Sequence, residues 1–216
     1  MSTLKWHYTN NIHNFITIGD EDFRLNTAYD NIMLLLRAFK DETLKNKLDA
    51  FFRVIIYKDD HQRFKQATRG WSTTDYGDLA DHISKNVLHF KPGDKSKRYY
   101  DIDMDAELIY ASFYKDYKIS LVEKKGKMKW VEFLILLENL SDETALGKII
   151  KLMKTKPKEL SPEANRVRVE RNRMLNKDTD LQSQIDGLVG FLMKTAKVKD
   201  VDKNESKEEK NNISKD

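Results

Sequence analysis

The sequence predicts a mainly α fold, with a compact helical domain, a small N-terminal β-hairpin, a C-terminal amphipathic helix and a disordered tail. Apolar residues recur at helical spacing along most of the chain. The 216 residues include 8 glycines and 3 prolines, too few turn formers for a many-stranded sandwich or barrel. Aromatic residues make up 10% of the chain, and these bulky side chains argue against wholesale disorder.

A β-hairpin is predicted near the N-terminus. Residues 15–18 are rich in β-forming side chains, residues 19–22 are turn-like, and residues 23–25 supply the second strand. No other segment of the sequence gives a convincing β signal.

Three helices follow the hairpin in this prediction. Thr27 caps a helix over residues 28–39, and Asp41 starts a second helix whose apolar stripe runs to Ile55. Because the connection between these two helices is short, we expect them to form an antiparallel pair. A third helix is predicted over residues 75–88.

The middle of the chain predicts the core. A helix over residues 104–117 has one apolar face, and a helix over residues 128–140 is apolar nearly all round, which is typical of the centre of a core. Ser141 is predicted to cap the next helix. We expect a buried cluster to join the first two helices to helix 28–39, with these members: Ile109, Phe113, Trp130, Phe133 and Leu137.

Two helices of different character are predicted near the C-terminus. Residues 161–163, Ser-Pro-Glu, are a helix start with a cap residue, an early proline and an acid near the positive end of the helix dipole. That helix is basic and poor in apolar residues. A helix over residues 181–196 has a narrow apolar seam of the coiled-coil kind: Leu181, Ile185, Leu188 and Leu192.

The seam has two interpretations, and the sequence leaves both open. It could dock on the core of the same chain. Alternatively, Gly187 and Gly190 each cost the helix about 1 kcal/mol, and a loosely attached amphipathic helix could serve partner binding or self-association. The second interpretation predicts that deleting residues 178–216 leaves the thermal stability of the main domain nearly unchanged.

Composition suggests three segments. A helical core domain with the hairpin occupies residues 1–156, the basic and amphipathic helices occupy 157–196, and a charged tail occupies 197–216. The tail holds six lysines and six acidic residues, so we expect disorder there. The N-terminus lacks the apolar segment of a secretory signal, and the longest apolar runs are far shorter than the ~20 residues that span a bilayer. We therefore expect no membrane partner.

Positive charge is concentrated in residues 148–177, which hold ten basic and three acidic residues, although the whole chain carries only +4. At about 100° per residue, Arg166 and Arg173 lie on one side of the predicted helix and Arg168 and Arg171 lie roughly opposite. No aromatic residue interleaves with them, so bases have no stacking platform. A solvated, ion-paired helix is the favoured interpretation, and phosphate contact is the alternative.

The sequence offers no catalytic or metal-binding motif. The absence of cysteine excludes disulfides, thiol catalysis and cysteine-bound zinc. Residues 101–105, Asp-Ile-Asp-Met-Asp, suggest a calcium loop, but Ala106 and Ser112 stand where that loop needs glycine and glutamate, so helix capping by Asp103 or Asp105 is the better interpretation. His82 and His89 lack a positioned third ligand. We therefore expect no enzyme activity, no cofactor and no metal.

The middle of the chain also resembles a known family. Residues 101–121 read DIDMDAELIYASFYKDYKISL, with an acidic lead, an LIYASF helix and then Y-x-I-x-L. Residues 130–140 follow W-x-x-F-x-x-L-L-x-x-L, and a short helix with two isoleucines comes next. These motifs resemble the gene-product-fifteen-type family of siphophages that infect Gram-positive bacteria. The resemblance covers roughly residues 12–155, and residues 151–153 depart from the Ile-Arg continuation of the family.

The resemblance implies both a set of core residues and a function. The motif residues are Asp103, Ile109, Tyr110, Phe113, Tyr117, Trp130, Phe133, Leu137 and Leu140. The implied function is that of a tail assembly chaperone, which binds the tape measure protein and assists tail tube protein in the host cell cytoplasm and is absent from the virion. Self-association is left open. The alternatives are a basic helical nucleic-acid-binding phage protein and a minor structural tail component.

Overall fold

The structure, a computed structural model, describes residues 15–40, 46–90, 99–175 and 181–197. The mainly α fold with an N-terminal hairpin is confirmed. Within the described residues, two strands and nine α-helices follow one another: β1 (Phe15–Ile18), β2 (Glu21–Arg24), α1 (Tyr29–Lys40), α2 (Lys47–Ile55), α3 (His61–Ala67), α4 (Thr73–His82), α5 (Ala106–Tyr117), α6 (Trp130–Glu138), α7 (Ala145–Lys154), α8 (Pro162–Leu175) and α9 (Leu181–Lys197). The predicted tail beyond residue 197 lies outside them.

The chain divides into two compact units, and neither is continuous in sequence. In the described residues, the first unit comprises 15–26, 46–90 and 188–197, and the second comprises 27–40, 99–175 and 181–187. This division differs from the predicted boundary at residue 156. It also places α1 and α2, the expected antiparallel pair, in different units.

The hairpin belongs to the first unit. β1 and β2 are antiparallel with Ile18 opposite Glu21, so two residues make the turn. Gly19 occupies that turn with φ of 62°, a left-handed conformation that glycine adopts without a steric cost. Ile16 and Phe23 face each other in the register and are both buried, so one face of the hairpin packs into the core of this unit.

Two helices of the first unit, α2 and α4, begin at side-chain caps. The backbone NH of Asp49 donates to the Asn46 side chain at 3.0 Å, which starts α2 later than the predicted start at Asp41. Residues 41–45 lie outside the described part of the chain. At α4, Ser72 and Asp75 form a capping box, so this helix begins ahead of the predicted residue 75.

Helix α3 was not predicted. It follows a 3₁₀ turn over residues 58–60 and has one buried apolar residue, Phe64. Such a short helix offers little periodicity to detect. A further difference is that α4 gives way to a π-helical segment over residues 83–87 instead of continuing as one α-helix to residue 88.

The second unit contains α1 and α5 to α8. The backbone NH of Trp130 donates to the Thr27 carbonyl at 2.7 Å and that of Tyr29 donates to Met128 at 2.9 Å, which joins the starts of α1 and α6. In α6 the structure buries Trp130, Phe133 and Leu137 but leaves Ile135 56% exposed. Helix α6 therefore contributes to the core as predicted, but it does so through one face, although it is apolar nearly all round.

The predicted cap of α7 belongs to another residue, and the predicted cap of α5 is in place but makes no side-chain cap bond. The Thr144 hydroxyl accepts the Gly147 NH at 3.0 Å and caps α7, whereas the predicted cap, Ser141, donates its hydroxyl to Asp116 at 2.9 Å. Asp105 stands at the N-cap position of α5 without a side-chain bond to that helix. No helix in the described part of the chain has the length and hydropathy needed to cross a membrane.

Candidate partner-binding site

The family motif builds an aromatic stack in the second unit. Phe133 lies between Tyr29 and Phe113, with ring centroids 5.0 and 5.3 Å away and nearly parallel planes. Trp130 extends the stack at 5.7 Å from Phe133. Ile109 and Leu137 are also buried, so the burial predicted for this cluster is confirmed. These residues hold α1, α5 and α6 together and are not accessible to a partner.

Four other motif residues are not core residues. Tyr110 is exposed on the outer face of α5, and Leu140 is half-buried beyond the end of α6. Tyr117 is half-buried and its hydroxyl donates to the Leu136 carbonyl at 2.9 Å; burial, assisted by Asp116, raises the pKa of Tyr117. Asp103 is exposed and accepts from Arg37 Nε at 2.7 Å. The motif therefore combines packing positions with surface positions.

The acidic lead of the motif accepts hydrogen bonds from protein donors. The Asp101 carboxylate accepts the backbone NH groups of Asp103 and Met104 at 2.8 and 2.7 Å, so Asp101, and neither predicted residue, caps this turn. Asp105 accepts the Asp101 NH at 2.9 Å and forms an ion pair with Arg171. Among the residues that the structure describes, no group of three or more His, Asp or Glu side chains is placed to hold a metal.

Two of the four arginines of α8, Arg168 and Arg171, face inward and bind groups of the second unit. The side chain of Arg171 is 12% exposed and that of Asp105 is 1% exposed, so this ion pair is buried. Arg171 also reaches the Tyr99 carbonyl at 3.4 Å, and Arg168 reaches the Met153 carbonyl at 3.5 Å. Arg166 and Arg173 are exposed. The predicted opposition of the two arginine pairs is therefore confirmed, but the inner pair is bound to protein and not solvated.

The second unit exposes several large apolar side chains. Tyr110 and Tyr114 stand one helical turn apart on α5 and are both exposed. Exposed apolar side chains also occur elsewhere in this unit: Leu34, Met104, Val122, Ile135, Val167, Val169 and Met174. Such residues are common individually, but the tyrosine pair places two aromatic rings on one exposed helix face.

A groove of about 730 Å³ lies within the first unit. Its apolar wall comes from Leu48 and Phe52 of α2, Phe64 of α3, Tyr76 of α4 and Phe191 of α9. In the described part of the chain, its polar lining includes Lys47, Asp49, Arg53, His61 and Lys65. We call this cavity the aromatic groove. Its volume is within the range of about 300–1,000 Å³ that is usual for ligand pockets.

The aromatic groove has a fixed wall. The Phe52 and Phe64 rings stack at 5.2 Å, and Tyr76 meets Phe52 edge-on at 5.5 Å. The Tyr76 hydroxyl donates to Thr68 Oγ1 at 2.7 Å, and the Thr68 hydroxyl donates to the Phe64 carbonyl at 2.8 Å. These bonds fix the tip of Tyr76, so the wall is preorganised.

Sequence reasoning missed the aromatic groove. Its residues come from four helices, and one of these, α3, was not predicted. The available signal was Phe52, which widens the apolar stripe of α2 beyond what one packing face needs. The positions of Phe64, Tyr76 and Phe191 relative to Phe52 depend on tertiary structure, which helical periodicity does not provide.

The C-terminal seam is covered by this chain. Ile185, Leu188 and Leu192 are exposed by 2% or less, and the side chain of Leu181 lies outside the described part. Of the two interpretations of the seam, this burial favours docking on the core. The partner-binding and self-association roles proposed for these residues would require them to leave their present packing.

Three histidines occupy different environments in the first unit: His61, His82 and His89. His61 Nε2 lies 2.9 Å from the Ile56 carbonyl, which requires a proton on that nitrogen. Burial lowers the pKa of His82, against the opposing effect of Asp81. His89 is exposed with φ of 53°.

These features define a helical protein with an aromatic-lined groove in one unit and a pair of exposed tyrosines in the other. Residues 10–177 match the family described as Bacteriophage Gp15 protein, and the chain therefore belongs to that family. Neither a curated protein nor a solved structure shows significant similarity to the chain. The family match ends two residues after α8. Helix α9, which contributes Phe191 to the aromatic groove, therefore lies beyond the match.

Proposed function

We propose that this phage protein is a tail assembly chaperone that binds the tape measure protein and assists the tail tube protein. The observation that carries the proposal is the family match over residues 10–177. The chaperone would act in the host cell cytoplasm and be left out of the virion. It would act by binding alone, with no catalytic step and no cofactor.

The contact surfaces suit such a role. A long helical protein that waits for assembly exposes apolar stripes that would aggregate. A helical chaperone can cover such stripes when a partner helix lies in a groove or against an exposed aromatic face, and this chain has both kinds of surface. Many copies along one long partner would add avidity to a modest affinity per copy.

The nucleic-acid alternative has less support. Arg171 and Arg168 bind groups of their own unit, which leaves Arg166 and Arg173 as the outward arginines of α8. Two arginines on one helix face make few phosphate contacts, so the affinity would be weak and salt-sensitive. A structural tail component is the other alternative, and the location of the protein separates it from a chaperone.

Co-expression tests the proposal. The tape measure protein of the same phage would be produced alone and together with this chain, and soluble tape measure protein would be quantified after centrifugation. We expect this chain to raise the soluble fraction and to copurify with the tape measure protein. An unrelated helical protein of similar size and charge, produced at the same level, should do neither.

Purified virions supply the second measurement. We expect mass spectrometry of virions to detect the tail tube and tape measure proteins without this chain. Recovery of this chain at a fixed number of copies per virion would identify a structural component. Unchanged solubility of the tape measure protein and no copurification would contradict the chaperone function.

A further inference from the structure

We propose that α8 is a detachable strap over the acidic lead of the family motif, and that it opens and closes while α5, α6 and α7 stay folded. Segments with few buried apolar contacts open at a lower free energy than the core of the same protein. The inward face of α8, its few contacts with the second unit and the segment before it all favour local opening.

The inward face of α8 is mostly polar. The positions that the fold covers form one stripe at helical spacing, and its members are Ala164, Asn165, Arg168, Arg171, Asn172 and Leu175. Leu175 is the buried residue of this helix, and the other members are half-buried. Three large apolar side chains of α8, those of Val167, Val169 and Met174, are instead 45% or more exposed. Apolar burial therefore contributes little to holding α8 in place.

Two polar atoms of this inward face are buried without compensation. Asn165 Oδ1 and Arg171 Nε have no hydrogen-bond partner among the residues that the structure describes. Each atom loses contact with water when α8 docks and gains no protein hydrogen bond in return, which raises the free energy of the closed state. Opening of α8 returns both atoms to water and relieves this cost.

The contacts that hold α8 in the described part of the chain are few and polar. Arg171 forms the ion pair with Asp105 and reaches the Tyr99 carbonyl at 3.4 Å, and Arg168 Nε reaches the Met153 carbonyl at 3.5 Å. Both distances to carbonyl oxygens are long for N–H···O hydrogen bonds. The charge-assisted bond to Asp105 is the strongest kind among these contacts, so Arg171 is the main anchor of α8.

The segment before α8 can act as a hinge. Residues 156–159 are exposed, and the Glu159 NH donates to the Lys156 carbonyl at 2.9 Å within the segment itself. At the start of the helix, the Ala164 NH donates to Ser161 Oγ at 3.2 Å. These bonds are local in sequence, so α8 can leave the second unit without breaking them.

Hydrogen exchange of the full-length wild-type protein under native conditions, followed by mass spectrometry, measures the opening. A freed helix of 14 residues is only marginally stable in water, so the amides of α8 exchange when it leaves. We expect them to exchange about a hundredfold faster than the amides of α5 and α6, relative to intrinsic rates, with a weaker dependence on added denaturant. Equal protection and equal denaturant dependence in the three helices would overturn the proposal.

A core variant separates local opening from global unfolding. Phe133→Leu weakens the aromatic stack of α1, α5 and α6, to which α8 contributes no ring. Exchange in α5 and α6 should become faster, whereas exchange in α8 should stay as in wild type, because local opening leaves the stack intact. Exchange in α8 that accelerates by the same factor would show that α8 opens only with global unfolding, and the proposal would be wrong.

An anchor variant tests the ion pair. Arg171→Met leaves Asp105 buried without its partner in the closed state, so exchange in α8 should become about 30-fold faster. Val169→Ala is the matched control, because it truncates an exposed side chain of the same helix and should leave exchange in α8 unchanged. Exchange in α8 that is as slow in Arg171→Met as in wild type would contradict the role of Arg171 as the anchor. Circular dichroism of each variant would show that faster exchange is not a loss of the fold.

Discussion

Helices α8 and α9 follow one another near the C-terminus and are attached in opposite ways. In α8 the buried residue is Leu175, and the inner face is held by Arg168 and Arg171. In α9, Ile185, Leu188, Val189 and Leu192 are each exposed by 2% or less. One helix is attached mainly through charge and hydrogen bonds, and the other through apolar burial.

The difference shows that the amino-acid composition of a helix does not reveal how the helix packs against the rest of the protein. A helix rich in arginine was expected to be solvated, but Arg171 is largely buried, where it forms a charge-assisted pair with Asp105. A helix with two glycines was expected to be loose, but Gly187 and Gly190 lie beside fully buried apolar residues. Burial of about four large side chains outweighs a glycine cost of about 1 kcal/mol each.

The largest expected effect is at the apolar attachment. Leu188→Ala should reduce the free energy of unfolding by about 2–5 kcal/mol, because the cavity left by a fully buried leucine adds to the lost transfer free energy. Denaturant unfolding monitored by circular dichroism measures this. Val169→Ala is the matched control, because Val169 is exposed on α8 and its truncation should change stability by less than about 0.5 kcal/mol.

The same reasoning reverses the expectation for a deletion. Removing residues 178–216 was predicted to leave the stability of the main domain nearly unchanged, but it also removes Ile185, Leu188 and Leu192 from buried positions. We now expect the truncated protein to unfold at a clearly lower temperature in calorimetry. An unchanged melting temperature would restore the interpretation of a loosely attached helix.

The next effect is at the polar attachment. Arg171→Met should reduce the free energy of unfolding by about 2–3 kcal/mol, because it leaves the Asp105 carboxylate buried without its partner. The double variant Arg171→Met/Asp105→Asn should recover part of the loss, since the unpaired charge is then removed as well. Full additivity of the two single changes in a double-mutant cycle would show that the pair contributes nothing.

The sequence predicted features that depend on local spacing, and it did not predict those that depend on long-range contacts. Periodicity located the hairpin and most helices, and the motif located the stack around Phe133, because local spacing determines which face of a helix is apolar. Periodicity and the motif did not place Tyr110 on the surface, Thr144 at the cap of α7, or Phe191 in the lining of the aromatic groove. These depend on contacts between residues far apart in the chain, and so does the aromatic groove.

A third effect concerns a buried carboxylate in the first unit. Burial opposes ionisation of Asp60, but hydrogen bonds from Arg24 and the charges of Arg24 and Arg63 outweigh it and lower the pKa of Asp60. A lowered pKa in the folded protein means that this stabilisation is present above the unfolded value, near pH 4, and is lost as the pH falls through the folded value. Asp60→Asn should cost about 1–2 kcal/mol at pH 7 and flatten the acid limb of stability against pH.

Asp59 supplies the control for this prediction. Its side chain is 86% exposed, whereas that of Asp60 is 7% exposed, and both lie near Arg24. Asp59→Asn should therefore leave stability at pH 7 and its acid limb nearly as in wild type. Equal effects of the two changes would mean that burial does not strengthen the interaction of Asp60 with its arginines.

The smallest effect is expected on the outer face of α8. Arg166→Ser/Arg173→Ser changes two exposed arginines of the helix whose inner arginines are bound, so the free energy of unfolding should change by less than about 0.5 kcal/mol. The same variant tests the nucleic-acid alternative by fluorescence polarisation with labelled RNA and DNA. We expect weak wild-type binding that disappears near ~0.2 M salt and a shallower salt dependence in the variant, because fewer phosphate contacts release fewer counterions. Tight, sequence-dependent binding at that salt concentration, abolished by the double change, would make the outer arginines a binding site and favour the nucleic-acid function over the chaperone.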